Sequence, residues 1–97
     1  MVTEFAEIDI KPGMEATFIG DVEASRPIFA RSPGCRGLVL RRSIEQPHHF
    51  VLNIEWDSVA AHNQFRAAPE FALWRGNVGA CFAAPPNVWH GERVAGA

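Results

Sequence analysis

Hydrophobic and polar residues alternate along four short segments of the chain, a pattern typical of half-buried β-strands. In the first segment Ala6, Ile8 and Ile10 share one face, and in the third an apolar face runs from Phe50 to Trp56. Turns that contain glycine or proline follow the first segment and precede the second. The predicted strands are residues 2–11, 35–44, 48–56 and 87–94.

A helix is predicted between the first two strands, because apolar residues recur there every three to four positions. The stripe contains Met14, Phe18, Val22, Ser25 and Phe29, and Ile19 widens it. Pro27 lies within the helical stretch 14–31, so we expect a kink or break between Glu23 and Arg26.

A second helical segment follows the third strand and is predicted in two pieces. Asp57-Ser58 provides an N-cap for a helix over residues 59–67. Pro69-Glu70 then suits the start of the second piece, since proline tolerates the first helical position and glutamate the positive end of the helix dipole. The second apolar stripe is predicted to contain Phe71, Trp74, Val78 and Phe82, with Pro85-Pro86 as the stop.

The predicted order of elements is β-α-β-β-α-β over a single domain of residues 1–97. This order is typical of an α+β, ferredoxin-like fold, in which helices cover one face of a four-stranded antiparallel sheet. The uncovered face would expose Phe5, Val39, Val51 or Trp89, depending on register. Exposed apolar surface of this kind usually marks an interface, so we predict a homodimer paired sheet to sheet.

Composition places the chain among the globular domains. The hydrophobic share is 47% and the charged share is 21%, both near the averages for folded domains. No apolar run is long enough for a membrane span, and the early acidic residues Glu4, Glu7 and Asp9 do not fit a signal peptide. We therefore expect a cytoplasmic protein with Cys35 and Cys81 as reduced thiols.

Charge and motif content argue against several classes of function. The net charge is −2 and Lys11 is the only lysine, which disfavours a nucleic-acid partner. Phosphate-loop, dinucleotide-binding and hydrolase motifs are absent. The spacing of His48, His49, His62 and His90 does not match that of metal ligands, so neither a metal nor another cofactor is expected.

His62 is the polar residue with the clearest chemical interest. Val59 and Phe65 lie three residues before and after it, which places His62 on the apolar face of its helix. Two interpretations are open. The imidazole is either buried and hydrogen-bonded to a backbone carbonyl, or a proton acceptor at the edge of a pocket.

Several aromatic residues either line such a pocket between the helices and the sheet or fill the core. They are Phe18, Trp56, Phe65, Phe71 and Trp74. Arg75 follows Trp74 and either reaches the pocket mouth, where it would hold an anionic oxygen, or stays solvated. His90 faces either the pocket or the sheet interface.

Four segments resemble those of the antibiotic biosynthesis monooxygenase domains, a family of the dimeric α+β barrel superfamily. They are P-G-C-R-G-L, F-V-L-N-I-E-W-D-S, F-R-A-A-P-E-F-A-L-W-R and P-P-N-V-W-H, in that order. The resemblance is strongest from Pro33 to Val94. It implies a homodimer whose two sheets close into a barrel, with a pocket between helices and sheet in each subunit.

The resemblance also implies an activity, since characterised members oxygenate electron-rich aromatic compounds with O2 and without metal or flavin. On this basis Trp56 would orient the substrate, His62 would remove or relay its proton, and Arg75 would stabilise the developing oxyanion. The predicted substrate-binding residues are Phe18, Phe65, Phe71, Trp74 and His90. Binding of a small apolar ligand without catalysis, and isomerase or decarboxylase chemistry of the same superfamily, are the alternatives.

The chain departs from the patterns of individual branches of that family. The haem-degrading branch has asparagine, tryptophan and histidine where Ile8, Phe65 and Arg75 stand. The quinol-oxidising branch has histidine in place of Phe65 and Glu70, and the polyketide branch has asparagine in place of Leu52. Haem breakdown is therefore not expected.

Overall fold

A computed structural model describes residues 1–97 and shows the predicted order of elements. The strands are β1 (Val2–Asp9), β2 (Cys35–Arg42), β3 (His49–Trp56) and β4 (Asn87–Gly91). The helices are α1 (Glu15–Ala24), α2 (Arg26–Ala30), α3 (Val59–Ala67) and α4 (Pro69–Val78). The strands form one sheet in the order β2-β3-β1-β4. Every neighbouring pair is antiparallel, which confirms the ferredoxin-like α+β fold.

The pairing register decides which side chains meet near the centre of the sheet. Glu4 on β1 lies opposite Ile54 on β3 and opposite His90 on β4. Trp56 pairs with Val2 and is therefore the diagonal neighbour of Glu4 on the same face. The sheet thus brings a carboxyl, an imidazole and an indole together on its helix-covered side.

The core lies between this face and the helices. Apolar side chains of β1 and β3 alternate strictly into it, and α1, α2 and α4 contribute their buried stripes. Among the fully buried side chains are Phe18, Phe29, Phe50, Trp56 and Val78. Ile19 is 37% exposed, so it does not widen the buried stripe of α1 as the pattern predicts. Ile28 occupies the core instead, because the chain turns between α1 and α2.

The predicted break in the first helix is confirmed. The helix α1 ends at Ala24, α2 begins at Arg26, and Pro27 occupies the first turn of α2. Ser25 between them is buried, and its hydroxyl donates to the Asp21 carbonyl at 2.7 Å. Proline at this place costs little, because its missing N–H has no helical partner in a first turn.

The second stripe ends earlier than its apolar spacing predicts. The helix α4 stops at Val78, and a 3-10 turn over Gly79–Cys81 follows, so Phe82 lies beyond the helix. Gly76 and Gly79 explain the difference, since glycine is about 1 kcal/mol less favourable than alanine in a helix. Pro85-Pro86 therefore does not end the helix.

All four strands are shorter than predicted: the third begins one residue later, at His49, and the other three end earlier. The first ends at Asp9, and Ile10 makes only an isolated bridge to Phe82. The last ends at Gly91, where its pairing with β1 reaches Thr3 and little of β1 is left to pair with. The second ends at Arg42, two residues before Ile44, which is 90% exposed.

The opposite face of the sheet carries no helix. Phe5 and Trp89 stack there with ring centroids 4.3 Å apart. Trp89 is 48% exposed and Val39 is 49% exposed. The same face also holds polar pairs, since the Trp89 indole donates to Glu7 at 3.2 Å and Arg41 donates to Asn53 at 2.8 Å. No helix of the structure has both the length and the apolar character that crossing a bilayer requires.

Candidate active site

A cavity of about 350 Å³ lies between the helix-covered face of the sheet and the helices α3 and α4. Strand β1, helix α4 and the segment that leads into β4 supply most of its walls. It is lined by Glu4, Ala6, Ile8, Leu52, His62, Arg66, Phe71, Trp74, Arg75, Phe82, Pro85, Pro86 and Val88. More than half of these residues are hydrophobic, so the cavity suits a small apolar or aromatic molecule with one or two polar groups.

Glu4 is the carboxyl group of the cavity and is only 6% exposed. Its Oε1 accepts a hydrogen bond from the Trp56 indole Nε1 at 3.0 Å and lies 3.1 Å from Nε2 of His62. Burial raises the pKa of the Glu4 carboxyl, against the opposing effects of the Trp56 hydrogen bond and the positive charge of Arg66. Desolvation therefore disfavours the charged form of the Glu4 carboxyl.

His62 is buried between the sheet and α3, with 2% exposure. Its Nδ1 lies 2.7 Å from Nε2 of His90, and its Nε2 accepts from Arg66 Nε at 3.3 Å. Burial, then the charge of Arg66 and then His90, lowers the pKa of His62 from 6.5 to about 4. The imidazole is therefore neutral at pH 7.

His90 lies behind His62 on the edge strand β4 and is half-buried. The two rings pack edge to face with centroids 5.0 Å apart. Burial and the charge of Arg66 lower the pKa of His90 as well. His90 does not line the cavity; it contacts the lining residue His62 instead.

The Trp56 indole packs against one face of the His62 ring. It is completely buried and stacks on the imidazole at 5.0 Å with an interplanar angle of 16°. Its position at the end of β3 follows from strand alternation, and Ser58 caps α3 two residues later by accepting from the Ala61 N–H at 3.1 Å. Trp56 thereby fixes both Glu4, by its hydrogen bond, and His62, by stacking.

Arg75 lies at the open end of the cavity on α4. Its guanidinium is exposed and sits over the ring of Phe82 at 5.3 Å and over that of Phe71 at 5.9 Å. Such cation–π contacts hold the charge near the cavity without removing it from water. Arg75 thus lines the cavity while its guanidinium stays exposed, and its contact with a substrate oxygen stays a prediction.

The structure distributes the predicted site residues between the cavity and the core. His62, Arg75, Phe71 and Trp74 line the cavity. Phe18, Phe65, Trp56 and His90 do not; the first three lie in the buried core. Direct contact of these four with a substrate stays a prediction. The hydrogen-bond partners of the His62 ring are side chains rather than the backbone carbonyl considered above.

Glu4 and Arg66 are cavity residues with chemical importance that were not predicted from the sequence. Glu4 has the same strand parity as Ala6 and Ile8, so alternation alone would have placed its carboxyl on the buried face. Arg66 follows His62 by four residues, the spacing at which helical side chains meet. No group of three or more His, Cys, Asp or Glu side chains is arranged to hold a metal ion.

Comparison with known proteins assigns this architecture to a described family. The model of the family described as "Antibiotic biosynthesis monooxygenase" matches residues 1–77. The protein YczJ of Bacillus subtilis (strain 168), itself uncharacterized, is 28% identical over 95 residues, which are 97% of this chain and 100% of that protein.

Solved structures share the same fold. The crystal structure of a Bordetella bronchiseptica protein that bears the family's name is 43% identical, covers 97% of each chain and superposes with a TM-score of 0.95. A variant of SnoaB, a cofactor-independent oxygenase from Streptomyces nogalater, has a TM-score of 0.83 at 20% identity. That comparison covers 98% of this chain and 94% of SnoaB and shows a common fold.

Proposed function

Because the chain belongs to the antibiotic biosynthesis monooxygenase family, we propose that it is a cofactor-independent monooxygenase of small electron-rich aromatic compounds. Phenols, anthrones and quinols are the substrate class. One observation carries this proposal: a buried carboxyl–imidazole pair, Glu4 and His62, faces a cavity of about 350 Å³ with aromatic walls. Such a cavity can both hold a flat aromatic molecule and accept its proton.

The proposed reaction draws its electrons from the substrate. Loss of a proton creates a phenolate or carbanion, which passes an electron to O2. One oxygen atom then enters the product, and the other leaves as water with two hydrogens taken from the substrate. The protein has to lower the cost of the anion and keep bulk water away from it.

The placement of the side chains supports the following proposed roles. His62 removes or relays the substrate proton, and Arg75 at the cavity mouth stabilises the developing oxyanion. Phe71 and Trp74 form aromatic walls. Trp56 orients the substrate through the groups it holds, since it stacks on His62 and hydrogen-bonds Glu4.

The assembly we propose is a homodimer that buries the uncovered face of the sheet. Exposure of Val39 and Trp89 beside the Phe5–Trp89 stack supports this arrangement, because apolar surface on a sheet face is stabilised by a partner. The cavity lies on the other side of the sheet, so it stays open in such a dimer.

The same cavity supports a second candidate, the binding of a small apolar ligand without turnover. Its walls of Leu52, Phe71, Trp74 and Val88 would hold such a ligand through apolar contact alone. An isomerase or decarboxylase would use the same Glu4–His62 pair without O2. The isomerase or decarboxylase thus differs from the oxygenase in needing no O2, and the binding role differs in needing neither O2 nor His62.

Oxygen uptake by the metal-stripped protein, measured against a panel of anthrones, naphthols and hydroquinones, tests the proposal. We expect uptake above the rate without protein, and a loss of about 100-fold in His62→Ala. His48→Ala is the matched control, since His48 is exposed in a turn away from the cavity. Uptake that survives His62→Ala contradicts the base role. Product formation without O2 favours an isomerase or decarboxylase, and ligand binding without product favours the binding role.

A further inference from the structure

Glu4, His62 and His90 form a continuous row of titratable groups that starts in the cavity and ends at the sheet edge. His62 Nε2 lies 3.1 Å from Glu4 Oε1, and His62 Nδ1 lies 2.7 Å from His90 Nε2. The first two groups line the cavity and are buried, whereas His90 belongs to the edge strand β4 and is half-buried. The row therefore joins the cavity to the surface through the two nitrogens of one imidazole.

The Glu4 carboxyl has one oxygen to spare for a ligand. Its contacts with Trp56 and His62 both use Oε1. No fully buried side-chain oxygen of the protein lacks a hydrogen-bond partner. Oε2 of Glu4 has no hydrogen-bond partner, so it is not fully buried. Since Glu4 lines the cavity, the cavity is the space from which a ligand can reach Oε2.

Arg66 and Glu4 both lie near His62 Nε2, and their hydrogen bonds require opposite protonation states of this nitrogen. Arg66 can only donate, so its hydrogen bond requires a lone pair on Nε2 and places the single proton of a neutral ring on Nδ1, facing His90. A Glu4 carboxylate instead accepts a hydrogen bond from Nε2, 3.1 Å away, when Nε2 carries the proton. Both tautomers of His62 therefore have a partner ready, and neither is held exclusively.

We propose that Glu4, His62 and His90 are a proton relay, in which Glu4 takes the substrate proton and His90 releases it to solvent. This inference rests on the proposed function, because it supplies the exit for the proton that the oxygenase removes. The Glu4 carboxylate accepts the proton on Oε2, the carboxyl group rotates so that this O–H faces His62, and the proton passes to His62 Nε2. The Nδ1 proton of His62 moves to His90 Nε2 in the same step, and His90 loses its Nδ1 proton to water. The relay ends with one proton in solvent, with Glu4 a carboxylate again and the substrate anion beside it in the cavity.

The charge next to His62 explains why the proton has to move on. Arg66 lies 3.3 Å from Nε2, so an imidazolium at this place would face a guanidinium inside a desolvated site. The low pKa of His62, about 4, reflects the same burial and the same neighbour. A ring that gains a proton on one nitrogen while it loses one from the other avoids this repulsion.

The relay makes His90 a positioning and transfer residue that does not contact the substrate. His90→Gln separates the two functions, because the glutamine carbonyl can still accept from His62 Nδ1 but cannot pass a proton on. His90→Ala removes both. The matched control is His48→Gln, because His48 is exposed in the turn before β3, away from the cavity.

The decisive experiment measures anaerobic exchange of the acidic carbon-bound hydrogen of anthrone for deuterium in D2O. A proton that leaves through His90 is replaced by deuterium, whereas a proton trapped at Glu4 returns to the same carbon. We expect exchange about 100-fold slower in His90→Gln than in the wild type or His48→Gln. Free imidazole should restore exchange in His90→Ala, and circular dichroism spectra should show that all variants are folded.

The outcomes separate the relay from the proposed function. Equal exchange in the wild type and His90→Gln overturns the relay, and so does an absence of exchange in the wild type. Oxygen uptake that persists in either case leaves the monooxygenase proposal intact. Exchange that depends on His90 without any oxygen uptake supports the relay and overturns the oxygenase.

Discussion

At the level of single residues, the cavity is organised around a carboxyl and an imidazole that are both removed from water. Burial acts on them in opposite directions, since it raises the pKa of Glu4 and lowers that of His62. Each shift favours the neutral form of its group. A carboxylate in such surroundings is a stronger base than a solvated one, which suits Glu4 as the first acceptor of the relay.

The low pKa of His62 predicts that the protein loses stability as the pH is lowered. The unfolded chain binds a proton at His62 below about pH 6.5, whereas the native ring binds it near pH 4. Unfolding is therefore favoured as pH falls across this window, by up to about 3 kcal/mol. His90 has a lowered pKa and acts with the same sign. The raised pKa of Glu4 acts with the opposite sign, because the native carboxyl holds its proton to a higher pH.

Urea unfolding between about pH 7 and about pH 4, compared for the wild type and His62→Phe, measures this contribution. Phenylalanine keeps an aromatic ring against Trp56 but cannot titrate. We expect the loss of stability on acidification to be smaller in the variant. Equal slopes for the two proteins would show that His62 keeps its ordinary pKa in the fold.

Single-residue patterns predicted some of the site and missed the rest for a physical reason. Helical spacing placed His62 on an apolar face, and its burial agrees. The register of β4 against β1 decides whether the His90 side chain lies on the same face of the sheet as His62 or on the opposite face. In the observed register Glu4 and His90 are side by side. Register is a property of strand pairs, so a pattern within one strand could not supply it.

At the level of elements, glycine residues inside helices lower the stability of those helices. Gly20 lies inside α1 and Gly76 inside α4, and an added Cβ at either position would meet no atom within 4 Å. Gly34 differs, because its φ is +83° and an added Cβ would lie 2.7 Å from the Cβ of Ala61. The first two glycines are thus replaceable, and the third is required by its turn.

We predict that Gly20→Ala and Gly76→Ala each stabilise the protein by up to about 1 kcal/mol, because alanine loses less backbone entropy in a helix. Gly34→Ala should destabilise it, since the turn strains any L-residue and the Ala61 contact is too close. Thermal unfolding monitored by circular dichroism compares the three variants. A lower midpoint for Gly76→Ala would contradict the explanation given for the early end of α4.

The elements themselves were largely predictable, whereas their ends were less so. Alternation located all four strands, and Pro27 located the division of the first helix. The apolar stripe extended α4 too far, to Phe82, because periodicity counts side chains and ignores the backbone cost of Gly76 and Gly79. Helix ends reflect that local balance, which hydrophobic spacing does not report.

At the level of the whole molecule, the sheet separates two surfaces with different tasks. One face holds the cavity, and the other presents Val39 and Trp89 to solvent. We predict a dimer in solution, and Val39→Glu should convert it to a monomer, because the new carboxylate would be buried without a partner. Light scattering after size exclusion measures the mass.

Ile44→Glu is the control for that prediction. Ile44 is 90% exposed and lies beyond β2, away from the sheet face, so its replacement should leave the dimer intact. A wild-type protein that is monomeric at micromolar concentration contradicts the proposed assembly. Loss of oxygen uptake in Val39→Glu would additionally indicate that the assembly supports the cavity.

The three tryptophans occupy three different environments, which gives the protein a built-in set of optical probes. Trp74 lines the cavity, Trp56 is sealed beneath His62, and Trp89 lies on the open sheet face. In Trp89→Phe, which leaves the cavity residues in place, the response of the emission to a ligand would report on Trp74, and the emission that this substitution removes would follow association. Emission from Trp56, stacked on the imidazole, would follow the protonation of His62. Ligand capture, subunit pairing and proton movement are thus separately visible without any attached dye.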